Sequence, residues 1–266
     1  MLGIVTPLAL IDSTSPLALG AIAVWAVTAA WLSAWLVHRY RVAEDSEGWE
    51  FAELSAATCP HCLHEVTAIE ALPLRSLRCA ECGERLPSSW WITQLLTFSA
   101  ICAVAAAWGL GVHLVAFLWL PPVLVVAAVV DFRTMLIPKK VAWVGLAGGV
   151  ATIALASALL GKPDMLVPAL IGAAGYFGFL FLLNVISPSA MGFGDVRLGA
   201  VLGLYLGWIS VFLPVYGLLV ACIVYLLYAV PARIRFGLAN KFSPFGPGLA
   251  MGTLLVVIFH SAILPG

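Results

Sequence analysis

The chain has 266 residues, 63% of them hydrophobic and only 10% charged, and its acidic and basic side chains balance to zero net charge. With a mean hydropathy of +1.08, it lacks the polar surface that a soluble domain of this length needs, so its solvent is expected to be largely lipid. The charge balance offers no electrostatic footprint for nucleic acid, and none is expected as a partner.

Eight apolar runs follow one another: Leu17–Val37, Trp90–Trp108, Val112–Val130, Val141–Leu160, Met165–Ile186, Val196–Trp208, Val211–Val230 and Pro247–Leu264. They are continuous rather than alternating, which predicts helices, and only helices or closed barrels satisfy the backbone inside a bilayer. The sixth is short, and is read as a half-helix or as merging with the seventh. The first 16 residues carry no Lys or Arg, so no removable signal peptide is expected and the first run is taken as a span. The predicted fold class is an all-α polytopic membrane protein, with about eight transmembrane helices and one polar insert.

That insert stands out by its charges. Nine of the 13 Asp and Glu residues lie between Glu44 and Glu84; the others are Asp12, Asp131, Asp164 and Asp195. Within it, Cys59-Pro-His-Cys62 and Cys79-Ala-Glu-Cys82 are two Cys-x-x-Cys knuckles separated by 16 residues. This spacing predicts a tetrahedral, structural zinc site with Cys59, Cys62, Cys79 and Cys82 as ligands, folding a segment too small for a core of its own. Substitution of a cysteine by His61 or His64, or four free thiols, are the alternatives. Cys102 and Cys222 lie in apolar runs and are read as small packing residues, and His113 and His260 as polar groups at helix ends. The acidic stretch Glu44, Asp45, Glu47, Glu50 and Glu53 reads as a solvated linker rather than as an attractor for a basic substrate.

Orientation follows from the loops. With the N-terminus outside, 12 of the 13 Lys and Arg residues fall on one side, in the loops 38–89, 131–140, 187–197 and 231–246; Lys162 alone falls on the other. The positive-inside rule makes that side cytoplasmic, and Asp131 and Asp195 both come to lie there, at helix ends.

Asp131 closes an apolar helix in the run Asp131-Phe-Arg-Thr-Met-Leu-Ile-Pro138, where Pro138 stops helical continuation. Asp195 sits in Met191-Gly-Phe-Gly-Asp195-Val-Arg-Leu198. Gly192 and Gly194, lacking a β-carbon, permit a tight bend or close approach of a substrate strand, and are the candidate substrate-binding residues. A carboxylate at membrane depth costs about 2.5–3.5 kcal/mol on insertion scales and is functional by default. Two of them at close range share one proton, so that one serves as base towards water and the other as acid towards a peptide carbonyl. The structural alternative for each is a helix cap or an ion pair with a nearby Arg.

Asp131 with Ile137-Pro138, Gly192-Phe-Gly-Asp195-Val-Arg-Leu198, the run Gly199–Trp208 and Pro244-Phe-Gly-Pro247 together resemble the prepilin peptidases, or type IV leader peptidases, a Gly-x-Gly-Asp type of membrane aspartyl protease. The resemblance runs from about Thr58 to the C-terminus. It implies an endopeptidase that removes the basic leader of prepilin-like proteins after a Gly at the cytoplasmic face of the inner membrane, with Asp131 and Asp195 as the catalytic pair. It also implies a three-part organisation: 1–37, the N-terminal segment and first transmembrane helix; 38–89, the cytoplasmic zinc-knuckle insert; and 90–266, the membrane peptidase domain. Many members also methylate the new N-terminus. Here Ser33-Ala-Trp-Leu-Val-His38-Arg39 and Gln94 stand where the family places a Gly-Ser-Phe-Leu-Asn-Val type stretch and a Glu, so S-adenosylmethionine is a cofactor only if that second activity is retained. The rival readings are a degenerate membrane scaffold of a pilus or secretion assembly, and a transporter using the two aspartates as an ion relay.

Overall fold

The computed structural model describes residues 16–44, 50–70, 78–187, 191–236 and 244–263. Asp12, the Asp45 and Glu47 of the acidic stretch, Arg75 and Lys241 lie outside the described residues. In chain order the elements are α1 (Pro16–Arg39), β1 (Tyr40–Glu44), β2 (Glu50–Leu54), α2 (Ser89–Trp108), α3 (Val112–Phe117), α4 (Leu120–Thr134), α5 (Lys139–Leu159), a 3₁₀ turn at Pro163–Met165, α6 (Leu166–Ile186), α7 (Phe193–Ile209), α8 (Leu213–Phe236), α9 (Gly246–Ile258) and the short α10 (His260–Ile263). Among the described residues six helical stretches are long and apolar enough to cross a membrane, with α3 and α4 together forming one of them. Two shorter apolar helices, α7 and α9, complete the bundle.

The outer surface has the polarity of a lipid-facing protein. Leu17, Leu227 and Ile234 are 83%, 70% and 80% exposed, and comparable large apolar side chains line the outside of α2, α5, α6 and α8. In water such a surface would aggregate; in a bilayer it is the ordinary solvent boundary. Cys102 and Cys222 belong to this surface: both are exposed on their helices, and neither joins the cysteine cluster found among the described residues.

Local causes shape the elements at two points. The third span breaks between α3 and α4 because Pro121 and Pro122 bring no N–H to the carbonyls of Phe117 and Leu118; the indole Nε1 of Trp25 donates to the Leu118 carbonyl instead, at 3.1 Å. The sixth and seventh runs stay separate, because the backbone turns extended at Ser210. In the insert, Tyr40–Glu44 and Glu50–Leu54 pair as an antiparallel hairpin with Tyr40 opposite Leu54, where a solvated linker was expected. Tyr40 is buried against the main core.

The centre of the bundle is α7, whose residues from Val196 to Trp208 are nearly all buried. At 17 residues it is about 25 Å long, shorter than the hydrocarbon thickness, and it can be short because protein rather than lipid surrounds it. Gly199, Gly203 and Gly207 recur every fourth residue and let α6 approach closely. A β-carbon on Gly203 would lie 2.2 Å from the Gly172 carbonyl oxygen, and one on Gly207 2.5 Å from that of Pro168. Where lipid removes the hydrophobic drive between helices, such close packing supplies the association energy. Gly203→Val is therefore expected to destabilise the bundle by about 1–3 kcal/mol or more, as overpacking does, and to lower the melting temperature in detergent. Gly178→Ala, where a β-carbon meets nothing within 4 Å, is expected to leave it unchanged.

Candidate active site and metal centre

Asp131 lies in the last turn of α4 and is 4% exposed; Asp195 lies in the first turn of α7 and is 7% exposed. Helix α4 ends because Met135 takes a left-handed conformation, φ 59°, and returns its N–H to the Asp131 carbonyl at 2.8 Å. The chain then runs extended through Pro138 into α5. This connection meets the start of α7 at Gly194, where a β-carbon would sit 2.8 Å from Ile137 Cβ and 3.2 Å from its carbonyl oxygen. The absence of a side chain at Gly194 is thus what allows the segment after Asp131 to close on the segment before Asp195. Gly192 caps α7 in an extended conformation and its carbonyl accepts the Asp195 N–H at 3.1 Å; the Asn184 amide holds Met191 just ahead of it, at 2.7 Å. A β-carbon on Gly192 would be 3.6 Å from Asp195 Oδ2, so Gly192 flanks the carboxylate itself.

A third segment completes the site. Phe245 and Gly246 open α9, and the Gly246 N–H donates to Asp131 Oδ2 at 2.8 Å. Gly246 fits there only without a side chain, for its β-carbon would lie 2.6 Å from that oxygen. The electropositive N-termini of α7 and α9 therefore face Asp195 and Asp131 respectively. The two carboxylates lie within electrostatic reach of each other. Asp195 Oδ1 is buried and has no hydrogen-bond partner among the described residues.

These contacts bear on the structural alternatives of a helix cap or an ion pair with a nearby Arg. Asp131 stands near the C-terminus of its own helix, where a negative charge is unfavourable, so it is not a stabilising cap of α4. Neither aspartate forms an ion pair among the described residues. Arg133, two residues after Asp131, donates to the Val37 carbonyl at 3.3 Å, and Arg197, two residues after Asp195, stacks over the Phe193 ring at 4.5 Å. Among the described residues both carboxylates are thus buried and neither is neutralised by the arginine beside it.

The insert holds the second cluster. Its two knuckles are near copies: the Cys59 N–H bonds the His64 carbonyl and the Cys79 N–H the Glu84 carbonyl, at 2.8 and 2.9 Å. Leu63 and Gly83 take the same positive φ, 62° and 69°. Together they bring the Sγ atoms of Cys59, Cys62, Cys79 and Cys82 within 4.8 Å of one another, with Cys59–Cys82 at 3.7 Å and Cys62–Cys79 at 3.6 Å. A tetrahedron with Zn–S bonds of about 2.3 Å has sulfur–sulfur edges of about 3.8 Å, so the four thiols fit a metal ion of that size. The backbone N–H groups of Cys62 and His61 hold the Cys59 thiol down, to about 6, while Cys62 is pushed up to about 12 and Cys82 is also raised, as thiols crowded together without a cation oppose one another's ionisation. Neither histidine joins this cluster; His64 faces Glu70 at 3.5 Å. The knuckles pack through Ala57, Cys59, Val66, Cys79 and Leu86 onto Trp31, Trp35 and Trp90 of α1 and α2, and Trp31 donates to the Ala68 carbonyl at 2.7 Å.

The architecture thus defines a polytopic membrane protein with two buried carboxylates and an insert whose four thiols could hold a metal ion. A model of the type IV leader peptidase family matches residues 118–230, a stretch that contains both aspartates. The chain is 33% identical over 215 residues to the prepilin leader peptidase/N-methyltransferase of Aeromonas hydrophila, covering 77% of this chain and 72% of that protein. It is 27% identical over 214 residues to the enzyme of the same name from Bacillus subtilis, covering 78% and 83%. To the type 4 prepilin-like proteins leader peptide-processing enzyme of Escherichia coli O78:H11 it is 28% identical over 218 residues, covering 78% and 77%. The chain belongs to the type IV leader peptidase family. No solved structure matches it.

Proposed function

We propose that this protein is a membrane aspartyl endopeptidase that removes the leader of prepilin-like proteins, and that Asp131 and Asp195 are its catalytic pair. The observation that supports the assignment of residues is the burial of two carboxylates, at the end of α4 and the start of α7 and within electrostatic reach of each other, with no cation neutralising either among the described residues. Because the two charges oppose each other, the pair holds one proton between them and titrates as a unit. The ionised member takes a proton from water as it attacks the scissile carbonyl, and the protonated member gives its proton to the carbonyl oxygen. Gly192, beside Asp195, leaves room for an extended substrate backbone; Gly194 closes the α4–α5 connection against α7 and so assembles the pair. The substrate's apolar helix stays in the bilayer while its leader junction reaches the dyad from the side that carries the insert.

In this reading the protein lies in the inner membrane with its N-terminus outside and the insert and dyad in the cytoplasm, as the distribution of 12 of 13 basic residues favours. The metal in the insert is zinc, for which a closed set of four thiolates is the usual structural site. Incubating the purified protein with a prepilin whose leader ends in Gly, followed by intact mass measurement, tests the proposal. Loss of the leader mass is the expected result, and an uncut substrate with an intact enzyme would refute it. The same spectrum shows whether the new N-terminus gains a methyl group when S-adenosylmethionine is supplied.

A further inference from the structure

Three elements meet at the dyad, and the third, the start of α9, reaches Asp131 only through one backbone N–H, that of Gly246. An N–H placed against a reacting carboxylate has to be held within a fraction of an ångström to be useful, and Pro244 and Phe245, which precede it, are not helical. Helix α8 supplies what holds them. The Tyr228 hydroxyl donates to the Pro244 carbonyl. Tyr225, one turn earlier on the same face, packs edge-on against both the Phe245 ring, at 5.2 Å, and the Tyr228 ring, at 5.5 Å. Gly248 seats the first turn of α9 on Tyr225, for a β-carbon there would be 3.1 Å from Tyr225 Cβ.

We propose that Tyr228 is a positioning residue of the peptidase: by holding the Pro244 carbonyl, its hydroxyl fixes the Gly246 N–H against Asp131 Oδ2. The inference rests on the reading of Asp131 as half of the catalytic pair. The route is short and specific: the hydroxyl of α8 anchors residue 244, residue 246 donates to the carboxylate, and Pro247 begins a helix whose direction is then set. Tyr228 also lies within electrostatic reach of both aspartates and is half-buried. Its effect is on the geometry of the Asp131 carboxyl group, so it acts on turnover and not on capture of the substrate's apolar helix.

The test is a kinetic comparison of the full chain in detergent or proteoliposomes on a prepilin substrate. Tyr228→Phe removes one oxygen and keeps the ring. It is expected to lower kcat by about 10- to 100-fold, the range that small misplacements of catalytic groups cost, with KM unchanged. Tyr216→Phe, on the same helix but 46% exposed, is expected to match the wild type. Gly246→Ala displaces the same contact from the other side, so Tyr228→Phe combined with Gly246→Ala should be no slower than the slower single variant, because both remove one interaction. Additive losses in that cycle, a rise in KM with kcat intact, or a Tyr228→Phe enzyme as fast as wild type would each overturn the proposal. Should the Phe variant not assemble, Tyr228→Leu, which likewise lacks a donor, replaces it in the cycle with the same expectations. Asp131→Asn, run alongside, separates the two readings. An inactive Asn variant with a fully active Tyr228→Phe refutes the positioning role alone, whereas an active Asn variant refutes the dyad itself.

Discussion

Asp131→Asn is expected to lower leader cleavage by about 10²–10⁴-fold, the range spanned by single general acid–base groups, and Asp195→Asn to lower it as much. The two side chains are nearly isosteric with the carboxylates they replace, so the bundle should assemble normally. For Asp131 the amide oxygen can still accept the Gly246 N–H, which holds that carboxylate at 2.8 Å. At Asp195, whose Oδ1 is buried without a partner among the described residues, removal of a charge relieves a desolvation cost, and the melting temperature is expected to stay level or rise. This opposite movement of stability and activity separates a catalytic carboxylate from a structural one. An aspartate retained for an ion pair or a cap would lose stability on becoming Asn. Because the two act on one shared proton, the double variant should be scarcely slower than either single one. The measurement is the initial rate of leader loss by mass or gel shift, with thermal melting of the same preparations. Appreciable cleavage in either single variant would remove that residue from the mechanism.

Much of this site is legible in the sequence because lipid leaves few reasons for a charge. In a chain with four acidic residues outside the insert, Asp131 and Asp195 stand out by cost alone, and the loop charges assign them to one side. What periodicity and composition do not reveal is how the pair is neutralised. Arg133 and Arg197 follow the aspartates at the same spacing and invite an ion-pair reading, yet their guanidinium groups go to the Val37 carbonyl and the Phe193 ring. Gly194 reads as room for substrate, whereas its contact is with Ile137; a glycine signals close approach without saying of what. Tyr228 carries no signal, since tyrosines near membrane boundaries are common for reasons unrelated to catalysis. The hairpin at Tyr40–Glu44 and Glu50–Leu54 is hidden by its acidic residues, because its order comes from the tertiary burial of Tyr40 rather than from local preference. The α3–α4 break was open to inference from Pro121-Pro122, but a hydropathy window averages across it.

Removing the metal is expected to unfold the insert while leaving the transmembrane bundle helical. The insert's own core is one small cluster around Ala57, Cys59, Val66, Cys79 and Leu86, and two of those five belong to the four-thiol cluster itself. Structural zinc contributes about 10–16 kcal/mol in small four-ligand domains, far more than this much apolar burial can offer. In Cys59→Ser combined with Cys79→Ser, one knuckle loses a buried thiolate and so does the other; elemental analysis should then fall from one metal per chain to none. Limited proteolysis should open new cuts in the 55–88 segment, and far-UV circular dichroism should keep nearly all its helical signal. Cleavage is expected to fall far less than in the aspartate variants, because the contacts that assemble the dyad run through Gly194 to Ile137 and through Gly246 to Asp131, and neither passes through the insert. Besides the packing of the knuckles on α1 and α2, Arg133 reaches the end of α1, which ties the insert's attachment point to the last turn of α4. A metal-free protein that loses cleavage as completely as Asp131→Asn, with its helices intact, would mean that this bridge transmits the insert's fold to the carboxylate. Arg133→Lys, which keeps the charge but shortens the reach to Val37, would then be expected to mimic metal loss in the metal-loaded protein.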